Sequence, residues 1–471
     1  MNRSKRLYVL LGVLLVFCVL TLGVSKYEER KEKIKNSDEI VLEINSEDVT
    51  SISWECGAEV FAFHKDGTWL YDEDEDFPVD EEKVGRLLEI FESFGVSFII
   101  EDAENLGQYG LDTPLCKIDI GVGEETYKIL VGDYSAMDEE RYVSIGDGNV
   151  YLVSDDPLGT FDIGLSDMIR HDEVPEFDSV TEIEFAGSEN YKVVYKEDNK
   201  VTYSKDDIYF AKEDGNELPL DPENVESYLD IIRGLNLTEY VSYDASEEEL
   251  KAYGLDAPEL TVTLQYHAED EESGEEKEGT AVLHISRDPE EKKEAKSETG
   301  DEIDTESEEE LTAYARIGES QIIYKISRMD YENLMKASCN DLRHHEVVWA
   351  DQTEIRRIEI SLEGMEYELT VKEEDGEDVW YYQEEEIEAK DFFGALGSLT
   401  SAEFTEERQA GKEEISLTLY IDNENQPEVQ IELYRYDGNR CLAVVDGDAV
   451  SLVRRSDVVS LTEAVNAIVL N

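Results

Sequence analysis

Apolar and polar residues alternate at three similar points along the chain. Val49-Thr50-Ser51-Ile52, Val180-Thr181-Glu182-Ile183 and Ile355-Arg356-Arg357-Ile358 each open a run with the two-residue period of a strand that buries one face. A second such run follows each: Val60-Phe61-Ala62-Phe63, Lys192-Val193-Val194-Tyr195 and Tyr367-Glu368-Leu369-Thr370-Val371. An aromatic third run completes the set, at Thr68-Trp69-Leu70-Tyr71, Ile208-Tyr209-Phe210 and Val379-Trp380-Tyr381-Tyr382. Three β-meanders are therefore predicted. The period then changes. Val84, Leu87, Leu88 and Phe91 fall on one helical face, as do Val225, Leu229 and Ile232 behind an Asp221-Pro222 start. The third predicted helix, over 391–399, is weakened by Gly394 and Gly397.

A hexapeptide strengthens the reading of a repeat. Tyr109-Gly110-Leu111-Asp112-Thr113-Pro114 returns as Tyr253-Gly254-Leu255-Asp256-Ala257-Pro258. Residues 247–253 read as a short helix. Gly254 would take the left-handed position that ends it, with Leu255 folding back onto Leu250. Gly110, Leu111 and Leu106 fit the same description, and Pro114 and Pro258 forbid helical continuation. A helix stop accounts for every residue of the signature except the Tyr and the Asp.

More strands follow each helix, at 116–121, 126–131, 141–145 and 150–153 in the first unit, and at 414–420, 429–436, 441–445 and 449–453 in the third. Closing helices are predicted at 156–170, 329–343 and 456–470. Strands and helices are segregated, so the fold class is α+β, with tandem repeats of a β-meander–helix–β-sheet–helix unit. The first repeat spans 49–179, the second 180–354 and a divergent third 355–471. The second is interrupted near 269–310 by acidic stretches around a strand at 280–286; their composition offers no core, so the segment reads as an expanded hairpin with disordered tips.

The N-terminus differs from all of this. Leu7 through Val24 (residues 7–24) carries no charge, which suits a transmembrane signal anchor. A cytoplasmic tail (1–6) precedes it and a charged stalk (25–48) follows. More Lys and Arg follow the span than precede it, yet the short basic tail and the long domain behind it favour an N-terminus inside and repeats outside. The expected localisation is thus the cell membrane, single-pass, with extracytoplasmic repeats.

Net charge is −74, from 116 Asp and Glu against 42 Lys and Arg. Such a surface repels nucleic acid and excludes it as a partner, and it binds divalent cations weakly at most. Cys56, Cys116, Cys339 and Cys441 are too few for a disulfide scaffold. They read best as buried thiols, although Cys56 and Cys116 lie in one repeat and could pair in an oxidising compartment.

No catalytic constellation is evident. The chain has neither G-x-S-x-G nor H-E-x-x-H, and Glu406 stands where a phosphate loop ending at Gly411-Lys412 needs its first glycine. Asp72-Glu73-Asp74-Glu75-Asp76 starts like a calcium loop, but Phe77 and Lys83 replace its glycine and its bidentate glutamate. Arg170-His171-x-Glu173-Val174 recurs as Arg343-His344-x-Glu346-Val347. Its basic residues fit a helix C-terminus, and no third metal ligand is in view. No catalytic, cofactor-binding or metal residue is therefore expected, and no cofactor.

The N-terminal anchor, the Tyr-Gly-Leu-Asp-x-Pro strand entry, the Leu130-Val131-Gly132-Asp133 segment and the Tyr142-Val143 and Val150-Tyr151-Leu152-Val153 strands resemble the bacterial domain of unknown function 4340 family. The match is fullest over 49–174. The third repeat lacks the Tyr-Gly-Leu-Asp motif and has Gln409-Ala410-Gly411-Lys412 there, and the second has Ile285-Ser286-Arg287-Asp288 in place of the Val-Gly-Asp segment. The resemblance implies a membrane-tethered extracytoplasmic protein, similar to accessory components found beside ABC-type permeases and gliding-motility-type transport proteins, with an ABC-type permease and its ATPase as the partners it suggests. The expectation is a non-enzymatic accessory or binding subunit of such a transport system. The alternatives are a structural cell-envelope repeat protein and a hydrolase of envelope polymers.

Overall fold

A computed structural model describes residues 39–470, apart from 102, 104, 214–215, 270–273, 293–310, 375 and 408–410. The expected tail, the anchor and most of the stalk lie outside the described residues. No helix among those described is long and apolar enough to cross a membrane. The chain divides into two compact units, Met1–His171 and Asp172–Asn471.

The first unit is built on an eight-stranded antiparallel sheet. The meander Val49–Cys56, Glu59–Asp66 and Thr68–Tyr71 forms one half. Cys116–Val122, Glu125–Ser135, Glu140–Ser144, Val150–Val153 and the edge strand Phe98–Ile100 form the other. The halves join where Val49–Cys56 pairs with Cys116–Val122. Alternation places Ile52, Trp54, Phe61 and Phe63 on the covered face, all buried. Helix Glu81–Glu92 covers that face with Val84, Leu87, Leu88 and Phe91, and Asp80 caps its start by accepting from the Glu82 and Lys83 amides. Trp54 lies 5.4 to 5.7 Å from the rings of Phe61, Phe63 and Phe161.

The second unit contains two nine-stranded antiparallel sheets with the same strand order. Ile52, Ile183 and Ile358 are equivalent. They face Phe63, Val193 and Leu369 on the meander side, and Ile120, Leu264 and Leu419 on the other. The opening strand of each sheet is bulged at the same place, between Val49 and Ser51, Val180 and Glu182, and Ile355 and Arg357. An extra residue there re-aims the strand. The third repeat, divergent in sequence, is thus complete in structure.

Several expectations need correction. Cys56 and Cys116 form a disulfide and are not free thiols. They stand directly opposite one another on adjacent strands, a register that spacing along the chain does not reveal. Cys441 is a buried free thiol. Two of the three closing helices are broken: Pro157–Phe161 and Leu165–Met168 replace the first, and Arg328–Leu334 and Cys339–Leu342 the second. Only Arg455–Val469 is continuous. The stalk does not extend to residue 48, because Glu39–Leu42 pairs with Phe94–Val96. The expanded hairpin expected in the interrupted repeat is present, as Leu260–Glu269 paired with Glu276–Arg287, but its second strand begins before residue 280. Each sheet also has an edge strand that periodicity missed, at Phe98–Ile100, Tyr240–Ser242 and Ser401–Phe404.

Candidate functional site

The repeat signature is structural. Gly110 and Gly254 have φ of +68° and +74°, the left-handed conformation that glycine adopts without strain. The Leu111 amide donates to Leu106 O (3.0 Å) and the Leu255 amide to Leu250 O (2.7 Å), closing each helix end. Leu111 and Leu255 are buried. The tyrosines, unexplained by the helix stop, pack on aromatic partners: Tyr109 on Tyr142 at 5.0 Å, and Tyr253 on Tyr314 at 4.7 Å. Asp112 and Asp256 are exposed. Pro114 and Pro258 lead into the strands beginning at Cys116 and Leu260.

The motif also explains Gly132. A Cβ there would lie 2.2 Å from Tyr109 O, a backbone atom held by the turn. Gly132→Ala is expected to destabilise the protein by about 1–3 kcal/mol, the usual range for overpacking. Gly95→Ala is the control, since a Cβ at that position meets nothing within 4 Å. Thermal unfolding of the two variants checks this; equal melting would refute it.

Polar groups do converge inside the second unit, where its two sheets meet. The turn between Asn190–Tyr195 and Tyr209–Glu213 is long, and it carries Tyr203 into the core of the third repeat, where it is buried. Asn423 Nδ2 donates to Tyr203 O at 2.9 Å, and Asn425 Nδ2 to Asn199 O at 3.2 Å. Asp207, at the end of this turn, is completely buried. Its carboxylate accepts from Thr202 Oγ1 (2.6 Å) and from Trp349 Nε1 (3.2 Å to each oxygen), and lies 2.9 Å from His344 Nε2. Since a carboxylate accepts, the imidazole donates. The His344 and Trp349 rings stack at 4.1 Å. Burial without partners would be costly for a carboxylate; here each oxygen has donors.

Two further features flank this knot. A groove of about 920 Å³ is lined by residues of both repeats, among them Glu189, Tyr191, Cys339, Arg343, Phe404 and Glu406. The Arg343 guanidinium lies 4.2 Å from the centre of the Phe404 ring, and burial lowers its pKa. No carboxylate among the described residues forms an ion pair with it. Burial also pushes the Tyr191 phenol up, and its hydroxyl donates to Ala337 O. On the other flank, one donor atom each from Asp221, His344 and Glu346 lie within 4.8 Å of one another. These three groups are close enough together to be considered as ligands of a metal ion.

The recurring Arg-His-x-Glu-Val motif was visible in the sequence, but its role was misread. Asp80 N donates to Met168 O as Asp221 N donates to Leu342 O, and Ile169 bridges Val79 as Arg343 bridges Leu220. By the fold, Arg170 is the counterpart of His344, so the sequence echo is one residue out of register. Neither Arg343 nor His344 serves as a simple helix-end cation: one lies on an aromatic ring and the other is held by Asp207. Asp207 itself was missed. The nearest signal is the polar turn Asn199 to Asp207, which is longer than its counterpart in the first repeat. The calcium-like run is a turn over buried Phe77, which packs on Tyr71.

Two overlapping stretches of the chain, residues 69–258 and 213–417, match the model of a domain of unknown function, DUF4340. Each runs from the meander of one sheet to beyond the helix of the next, so the matched unit spans a junction between repeats. No curated protein and no solved structure matches the chain.

Proposed function

The chain belongs to the DUF4340 family, and on that premise we propose a non-enzymatic accessory or binding subunit, anchored in the membrane by residues 7–24. Its repeats face the extracytoplasmic side, and it works with the permease and ATPase of an ABC-type transport system. The observation that carries this reading is the groove between the second and third sheets. In a chain of net charge −74, it presents Arg343, a half-buried cation that lies on the Phe404 ring and forms no ion pair among the described residues, although Glu406 lines the same groove. A guanidinium on an aromatic face suits a carboxylate or phosphate of a ligand or partner segment. The Cys56–Cys116 disulfide supports an oxidising, extracytoplasmic setting. The signature residues support a scaffold, since they serve the fold.

Crosslinking and affinity recovery from native membranes, through a C-terminal tag, tests this. A permease and its ATPase should be recovered with the wild-type chain, and several-fold less with Arg343→Glu at equal membrane abundance. Protease shaving of intact cells should remove the tag. Recovery of wall or surface proteins alone would replace this reading with that of a structural envelope protein, and a protected tag would overturn the topology.

A further inference from the structure

We infer that Asp221, His344 and Glu346 form a binding site for one divalent transition-metal ion of the zinc class, with Asp207 as the residue that orients the histidine. The three donors come from two segments of the chain. Asp221 precedes helix Pro222–Arg233, and His344 and Glu346 lie in the link from the second sheet to the third. One donor atom from each lies within 4.8 Å of the other two. That spacing closes to coordination distance by rotation of two carboxylates, because metal–nitrogen and metal–oxygen bonds are about 2.0–2.2 Å.

Each group retains a lone pair for an ion. Asp221 Oδ1 accepts from the Glu223 amide, which leaves its second oxygen. Glu346 makes no side-chain hydrogen bond or ion pair among the described residues. The His344 side chain is nine-tenths buried and holds Asp207 through Nε2. Its Nδ1 has no hydrogen-bond partner among the described residues. An imidazole with one nitrogen on a buried carboxylate is the arrangement that fixes a metal-binding tautomer. Asp207 is rigidly held for this, because Thr202 and Trp349 also donate to it.

Charge points the same way. Two carboxylates crowd one imidazole, and no Lys or Arg among the described residues forms an ion pair with either. A bound cation would relieve that repulsion. The mixed nitrogen and oxygen donor set selects a borderline metal over calcium or magnesium, which prefer oxygen alone. Three protein ligands leave a coordination position for water or for a partner's donor atom.

The test is calorimetric titration of zinc chloride into the purified, chelator-treated full chain in detergent. Excess magnesium is present to occupy the diffuse acidic surface. One zinc per chain should bind in the presence of magnesium. Glu346→Gln and Asp221→Asn, the second of which keeps a helix-capping side chain, should each abolish that site while leaving far-ultraviolet circular dichroism unchanged. Asp207→Asn should weaken it by about 10–100-fold, as loss of a ligand's supporting partner does. The inference is overturned if no magnesium-resistant zinc binds, or if zinc binds with unchanged affinity to Glu346→Gln.

Discussion

Replacing Cys56 and Cys116 together with alanine is expected to lower the stability of the first unit by about 4 kcal/mol. The cross-link closes a loop of sequence separation 60. In the chain-entropy account, such a loop restricts the unfolded chain enough to give about that figure at 25 °C. The loop holds most of the meander, helix Glu81–Glu92 and the signature turn, and its two ends are neighbours in the middle of the sheet. Alanine is the right replacement because Cys116 is fully buried and a serine there would add an unsatisfied hydroxyl. Urea unfolding followed by tryptophan fluorescence suits the measurement, since Trp54 and Trp69 are both buried in this unit. Reduced wild-type protein should unfold at nearly the same urea concentration as the double variant. An unchanged midpoint in both would refute a stabilisation of this size by the cross-link.

The disulfide also shows where reading the chain stops. Alternation located the opening strands because each buries a whole face. Helical spacing located Glu81–Glu92 and Pro222–Arg233 because each covers that face with one stripe. Register between strands distant in sequence is a tertiary property, so Cys56 facing Cys116 could not be read. Edge strands such as Tyr240–Ser242 are too short to display a period. The predicted closing helices ran through Gly164 and through the Ser338 cap, where the chain in fact restarts. The third repeat kept its strand positions and its bulge while losing the signature, because sheet packing constrains apolarity more than identity. At the candidate site, His344 and Glu346 stood in one motif and Asp221 at a helix start, but Asp207 and the meeting of these residues were not visible. Asp207 and Asp221 are two of 116 acidic residues, and only folding distinguishes a buried carboxylate from a solvated one.

Asp207 therefore carries the second large expectation. Asp207→Ala should destabilise the second unit by roughly 3–5 kcal/mol, the range for removing one partner of a buried charged network. The substitution leaves His344 Nε2 and Trp349 Nε1 facing a void without their acceptor, while Thr202 Oγ1 can turn to Ser204 O at 3.1 Å. It also releases the end of the turn that seats Tyr203 in the third repeat's core. Loosening should thus centre on the junction of the two sheets. Amide hydrogen exchange should quicken across 197–208 and 344–350 before it quickens in the central strands. Lys205→Ala is the matched control in the same turn. Its ion pair with Glu354 involves a largely exposed lysine, and exposed pairs contribute about 0–1 kcal/mol. If the two variants lose stability equally, the turn acts through its surface and not through its buried carboxylate. If only Asp207→Ala does, the knot of Asp207, His344 and Trp349 is what joins the second and third repeats into one unit.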